Sequence, residues 1–393
     1  MLDGDDGLVE FHRENEGDDT RVGDIYLGRI VRVDHGLGAA FVDVGRKQAA
    51  FLPLSDIPGP AVEGARTVIQ IEREGLAGKG PKATARPVLA GVRLVLSPGR
   101  RAIGLSGRIA DKAERARLSA LAKGVAEEGE GITVRASAIG ADESQVRDEA
   151  AMLRGLWRDL LDRQRSQQPP AILQRQLPID LRLLRDLGPA FEAAIYDHRG
   201  AADIAKTWCR TAMGTLAPRI EFQGSSEWRP APAEMLENVE SAVQPRIMLK
   251  SGGSISIEPT EAMTVIDVNA ESAGTTRVND QGERLLLQTN LAAAEEIARQ
   301  IRLRNIGGII VVDFIDLRDV AARRQVVDRL RATTALDSAT VWIGAMSRLG
   351  LVELTRKRRG PTLLHMLTRP CPACEGTGRV MNDDRSMRAM DAG

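Results

Sequence analysis

Two short apolar runs, each ending at an aspartate and joined by a helix-length segment, constrain this chain more than any other feature. The runs are AMTVI, which leads straight into Asp267, and GIIVV, followed by Asp313. Runs of apolar and β-branched residues bounded by glycine and polar residues read as buried strands. Between them, GERLLLQTNLAAAEEIARQIRLR carries apolar residues at helical spacing, and NIGG supplies the residues that a helix C-terminus prefers. A strand, a crossover helix and a second strand form a βαβ-like unit, which lays the two strands side by side. Asp267 and Asp313 are then expected to project together from one edge of a sheet. Two carboxylates held that way share a proton or bind a cation. With Asn269 two residues on, the set suits Mg²⁺, which takes one or two carboxylates and keeps waters for substrate phosphates. The alternative is that the acids merely cap the loops after their strands.

EAMTVIDVN and QTNLAAAEEIARQIRLRNIGGIIVVDFIDL, in that order, resemble the catalytic core of the ribonuclease E/G family over a long span. The resemblance implies that Asp267 and Asp313 hold Mg²⁺ and that Asn269 hydrogen-bonds the attacking water or the scissile phosphate. It also has a departure: AESAGTTRVNDQGERLLL, between the two aspartates, is about three residues longer than the family's loop.

A chain of 393 residues has room for two or three domains and a full core. Lys+Arg and Asp+Glu are both 54, so the net charge gives no overall sign of a nucleic-acid partner. The distribution says more. Residues 1–24 hold nine acids against two arginines, whereas residues 299–369 hold fourteen Lys/Arg against six acids. The basic segment is either a solvated helical face or a phosphate-binding surface. Two of the three cysteines share one CxxC, which excludes a disulfide scaffold and fits a reducing cytoplasm. No apolar run approaches the ~20 residues of a membrane span, and the acidic N-terminus does not read as a signal peptide.

The opening MLDGDDGLVEFHRENEGDD offers at most one strand, GLVEFH, where the family begins with an earlier strand that pairs with it. From Gly23 the texture is all-β: GDIYLGRIVRVD, GAAFVDVG, QAAFLPLSDI and TVIQIERE are short alternating runs separated by turn residues. Four such runs suggest a small barrel of the kind that binds single-stranded nucleic acid through aromatics and basic residues. Phe41 and Phe51 each sit on one of these runs, as barrel core or as a stacking platform. The pattern resembles the S1 domain inserted in ribonuclease E/G, and the resemblance makes Phe41, Phe51, Arg73 and Lys79 RNA-binding residues. GLAGKGPKATARP, which follows, reads as a loop. GITVRASAIG resembles the family's pocket for a 5′-terminal monophosphate. Arg135 is present there, but Ala136 stands where the family has threonine, with Ser137 next, so the sensor is expected to be degenerate.

SQQPP marks a joint, and residues 171–240 carry no catalytic pattern. His198 reads as an exposed turn residue, and Cys209 as a packed thiol. Beyond Asp313 the segment TVWIGAMSRLGLVELTRKRRG reads as a strand followed by a helix. Ser347, Arg348, Gly350 and Glu353 match the family's S-R-x-G-L-x-E, and Arg356–Arg359 form a basic cluster expected near the acidic edge, facing phosphate. Cys371 and Cys374, in CPAC, form half of a tetrahedral zinc site. A redox pair is the alternative, but EGTG cannot open the helix that usually follows one. The family's solution is a Zn²⁺ shared by two protomers. A homodimer is therefore expected, and not a tetramer, because the small C-terminal domain of longer members does not follow.

The expected fold class is α+β and multidomain: an S1/OB-type β-barrel inserted in an RNase H-like subdomain, then a DNase I-like α/β catalytic subdomain and a zinc-link CxxC. The RNase H-like subdomain is expected in two segments, a truncated 1–23 and a second at 169–243. Between them lie 24–86 (S1) and 87–168 (5′-sensor-like), and after them 244–366 (DNase I-like), 367–380 (zinc link) and 381–393 (polar tail). The expected function is a cytoplasmic, Mg²⁺-dependent endoribonuclease acting on single-stranded RNA with 5′-phosphate products. The rivals are a non-catalytic S1-domain RNA-binding relative and a zinc-bridged structural dimer without an RNA partner.

Overall fold

A computed structural model of the chain describes residues 1–3, 7–14, 21–75, 80–224, 232–270, 280–358, 360–374, 376 and 378. The chain falls into two compact units, one of His12–Trp228 and the other of Met1–Phe11 with Arg229–Gly393. No helix among the described residues is long and apolar enough to cross a membrane.

In the first unit, β1 (Ile25–Asp34), β2 (Ala39–Asp43), β3 (Ala50–Pro53), β4 (Arg66–Arg73) and β5 (Lys82–Thr84) close a five-stranded barrel in the order β1-β2-β3-β5-β4-β1. Within the barrel the ten-residue β1 serves two neighbours: its first half pairs with β4 and its second half with β2. The handover falls beside Gly28, where a Cβ would lie 2.3 Å from Val42 Cγ1 and 2.8 Å from the Asp43 carbonyl oxygen. Only glycine fits there. Tyr26, Ile30, Val42, Leu52, Ile69 and Ile71 fill the interior, and the alternate residues face out. Irregularities in register after Ile30 and after Ile71 break the alternation and leave Arg32 and Arg73 on the outside too. The stretch read as a loop after β4 supplies β5, which closes the barrel. Three residues are too few to show an alternation, and their pairing is decided by β3 and β4.

Next come β6 (Leu89–Ala90), β7 (Leu94–Pro98), β8 (Ile103–Leu105) and β9 (Glu130–Val134), ordered β6-β7-β9-β8. The helices α1 (Lys112–Val125) and α2 (Glu143–Ser166) pack on this sheet through Leu118, Ala122, Val146, Ala150 and Leu153. A buried carboxylate fixes α2: Glu149 Oε1 accepts from the Arg93 and Leu94 amides at 2.7 and 3.0 Å, and Oε2 pairs with the Arg93 guanidinium. Then β10 (Ala171–Gln174) adds to β1. After α3 (Ile179–Leu187), β11 (Ala194–Tyr196) pairs in parallel with β12 (Ile220–Phe222), linked by α4 (Arg199–Met213). Cys209 is fully buried on α4, while His198 is exposed and caps it, Nδ1 accepting from the Ala201 amide.

In the second unit, α5 (Pro232–Ser241) precedes β13 (Arg246–Met248), β14 (Ser254–Pro259), β15 (Met263–Asn269), α6 (Asp280–Leu303), β16 (Gly308–Asp313), α7 (Val320–Thr334), β17 (Val341–Ile343), β18 (Leu351–Arg356) and α8 (Leu363–Leu367). The six strands make one sheet, ordered β13-β14-β15-β16-β18-β17. Only β15 and β16 pair in parallel, with α6 as the crossover. The helix ends as NIGG suggests, with Asn305 in the left-handed region at φ 49°. One face of the sheet is buried against α6 and α7 through Ile255, Ile257, Ile266, Ile310, Val312 and Leu354. Each such side chain contributes about 1.5–3 kcal/mol on burial. Near the N-terminus, GLVEFH makes one bridge among the described residues, Leu8 to Leu2, and Leu8 packs on Val239, Ala242, Leu303 and Leu363.

Two expectations for this unit are corrected. The GLVELTR segment is a strand, not a helix: residues 351–356 alternate inward and outward, and that period of two prevails. Nor does the basic cluster stand at the acidic edge. Arg356 lies opposite Gly308, at the other end of β16 from Asp313, and is buried. Its guanidinium pairs with Asp337 at 2.7 Å and also donates to the Asn305 side chain and the Ile306 carbonyl. Arg359 lies outside the described residues. Asp337→Ala would strand a buried charge and is expected to cost about 3–5 kcal/mol, measured by urea unfolding. The paired change Asp337→Leu with Arg356→Met should recover most of that loss.

Candidate active site

The alternation of β15 points Met263, Val265, Asp267 and Asn269 away from α6 and α7, while Thr264, Ile266 and Val268 are buried. In the parallel ladder Asp267 stands directly opposite Asp313. Opposed residues on neighbouring strands share a face and sit about 5 Å apart at Cα. Both acids are exposed, and among the described residues neither has a cationic partner. Two like charges at about 5 Å repel by about 1–3 kcal/mol near a protein surface. Asn269, two residues along the same face, donates from Nδ2 to Asp267 Oδ2 at 2.5 Å. The structure thus brings together Asp267, Asn269 and Asp313, the three residues singled out in the sequence.

They line a cleft of about 420 Å³ together with Asp316 and Leu349. Asp316 comes from the turn after β16, and Leu349 from the turn that leads into β18. After β16 the chain is pinned by Asn290 of α6, which is fully buried: Nδ2 donates to the Ile315 carbonyl at 2.8 Å, and Oδ1 accepts from the Ile315 amide at 3.1 Å. The facing turn, residues 347–350, is held by Ser347 Oγ, which accepts from the Leu349 and Leu351 amides at 3.2 Å each. Gly350 closes it at φ +79°, with a notional Cβ only 2.8 Å from the Phe314 carbonyl oxygen. A side chain there would push the turn away from Asp313's strand. Asn290 and Asp316 were not singled out in the sequence. The available signal was an asparagine inside an apolar helical stretch, QTNLAAA, and a second aspartate in VDFID.

The other expected site residues lie elsewhere. Phe41 and Phe51 face outward from the barrel, absent from its buried core, with ring centroids 6.0 Å apart and planes at 86°. Arg73 is exposed on β4, and Lys79 falls outside the described residues. Arg135 is committed inward: it donates to the Gly91 carbonyl at 2.7 Å and pairs with Asp186 at 2.8 Å. Burial works to raise the Asp186 carboxyl, but Arg185 and Arg135 outweigh it and hold it below its ordinary value. This pair contributes stability above the ordinary carboxylate range, which is lost as pH falls through the lowered value. Ser137 Oγ donates to the Val92 carbonyl. Cys371 is exposed, Cys374 half-buried, and neither is in a disulfide. Among the described residues no group of three or more His, Cys, Asp or Glu is arranged to hold a metal.

A five-stranded OB-like barrel, and a one-sided mixed sheet with paired acids at the end of its parallel strands, define a multidomain α+β protein with an acidic cleft. The comparisons with known proteins give that class a family. The Ribonuclease E/G family matches residues 88–359. Ribonuclease G of Haemophilus influenzae is 34% identical over 398 residues, covering 95% of this chain and 80% of the relative. Ribonuclease G of Escherichia coli K12 is 32% identical over 396 residues with the same coverage, and ribonuclease E of Nostoc is 35% identical over 379 residues, or 92% of this chain and 55% of that relative. The chain belongs to the ribonuclease E/G family.

Asn290→Ala removes both bonds to the Ile315 backbone and is expected to cost about 1–3 kcal/mol. Asp267→Asn and Asp313→Asn should stay within about 0.5 kcal/mol of wild type, or gain, in metal-free denaturant titrations. A large loss in either would make the acids structural.

Proposed function

We propose that the chain is a Mg²⁺-dependent endoribonuclease that cuts single-stranded RNA internally, leaving 5′-phosphate and 3′-hydroxyl ends. Family membership supports the endoribonuclease activity. The observation that carries the metal reading is the in-register pair Asp267 and Asp313, two facing carboxylates with no cation of the protein's own among the described residues. The donor set fits Mg²⁺: hard oxygen ligands, two carboxylates, and a cleft with room for waters and a phosphate.

Asp267 and Asp313 would hold the ion. When bound, Mg²⁺ neutralises charge developing on the phosphate and acidifies a water. The chain's own residues prepare the site. Asn269 orients Asp267 through its 2.5 Å bond, leaving its carbonyl oxygen and one N–H for a water or a phosphate oxygen. Asn290 fixes the turn that follows Asp313. Preorganised groups of this kind act where charge develops, with little reorganisation needed during the reaction.

In the same reading the barrel is an S1 domain that stacks RNA bases on Phe41 and Phe51 and tracks phosphates with Arg73 and Lys79. Residues 169–243 form an RNase H-like subdomain with 1–23, and 244–366 a DNase I-like subdomain. Cys371 and Cys374 supply half of a Cys₄ zinc site, so that two protomers complete it. Free thiols fit a cytoplasmic setting. For 5′-end sensing, the Arg135 guanidinium would have to leave Asp186 to meet a phosphate.

Asp267→Asn is expected to lower Mg²⁺-dependent cleavage roughly a thousandfold or more, with RNA binding retained. Full activity in that variant would refute the assignment, and no cleavage by wild type with binding intact would favour the non-catalytic relative. With matched substrates, wild type should cut 5′-monophosphate and 5′-hydroxyl RNA at similar rates, EDTA abolishing both. A strong monophosphate preference would show that Arg135 and Ser137 still form a pocket.

A further inference from the structure

The outer face of the barrel carries a cross-strand row that no single stretch of sequence displays, because each member comes from a different strand. In register from β1 to β5 it reads Arg32, Phe41, Phe51 and Lys82, and Arg73 on β4 stands opposite Lys82. With strands about 4.8 Å apart, Arg32 to Lys82 spans about 14 Å. Arg32 does more than flank the rings. Its guanidinium carbon lies 4.2 Å from the centroid of Phe41, within cation–π range. Phe51 meets Phe41 edge-on. The Arg32 side chain is 59% exposed, and Asp34 stands 3.8 Å away. At the other end Lys82 Nζ donates to Glu72 at 2.8 Å, an exposed pair of the kind that opens at little cost.

We propose that Arg32 and Lys82 extend the two phenylalanines into a four-residue track for single-stranded RNA. The Arg32 guanidinium, lying on Phe41, is the surface on which a base stacks at one end, and Lys82 takes a backbone phosphate at the other. The inference rests on the reading of the barrel as an RNA-binding element. A guanidinium is planar and weakly hydrated, so it offers a face to a base while its N–H edge stays open to phosphate. Resting on Phe41, it has already lost much of the rotamer freedom that binding would otherwise remove. A lysine at residue 32 would bring charge without a plane.

The test is binding of a short, labelled A/U RNA with a 5′-hydroxyl to the full chain, by fluorescence anisotropy without added Mg²⁺ across a salt series. Arg32→Ala is expected to weaken binding roughly tenfold and to reduce the salt slope by about 0.7. Arg32→Lys should restore the slope but not the affinity, and Lys82→Ala should reduce the slope by about 0.7. Combined with Phe41→Ala, Arg32→Ala should add little, because ring and guanidinium act as one stack. Both residues lie on the surface, so unchanged thermal melting is expected of the single variants. Unchanged or tighter binding by Arg32→Ala would overturn the proposal, making the guanidinium a cover over the ring. If Phe41→Ala also leaves binding unchanged, the reading of the barrel itself fails. That result is distinct from a loss with Phe41→Ala and none with Arg32→Ala.

Discussion

The parallel pairing of β15 with β16 sets the geometry on which the acidic cleft depends. A parallel pair needs a crossover, and α6 provides it. The crossover helix and α7 bury one face of the sheet, so the inward residues of β15 and β16 fix the register. A slip of one residue would send Ile266 or Ile310 to solvent and turn an acid toward the helices. The hydrophobic core therefore holds Asp267 opposite Asp313 against their own repulsion. Asn290 on α6 then clamps the backbone after β16, and Gly350, just before β18, lets the neighbouring turn close on Phe314.

The first unit uses the same physics on a different scale. Its barrel closes through short strands and one long bent strand, and buried polar groups decide where neighbouring elements attach. Glu149 anchors α2 to β7. Asp24, wholly buried, accepts from the Gln176 amide and pairs with Arg175, fixing the chain after β10 to the start of β1. An alternating strand has an outer face as well as an inner one, and in this barrel the outer face gathers the phenylalanines. Sequence alone left Phe41 and Phe51 open between core and surface. Ala40, Val42, Ala50 and Leu52, their immediate neighbours, take the interior and leave the rings outside.

What was legible in the sequence was mostly local and periodic. The two apolar runs, the helix between them and its NIGG stop announced the βαβ unit and so the meeting of its acids. Family resemblance identified the family that the comparisons then showed. What was not legible depended on partners distant in sequence. β5 is a strand because β3 and β4 flank it, not because KAT has a pattern. GLVELTR looked helical beside a run of arginines, yet pairing with β16 makes it a strand and buries Arg356 against Asp337. Asn290 and Asp316 gained their places through turns whose geometry no spacing encodes.

The most direct test of the central claim is a Mn²⁺ titration followed by electron paramagnetic resonance, with Mn²⁺ standing in for Mg²⁺. If Asp267 and Asp313 form one cation site, the wild-type chain takes up an ion that either Asp267→Asn or Asp313→Asn releases, with the fold unchanged. Uptake that persists in both variants, or is absent from the wild type, would contradict the account.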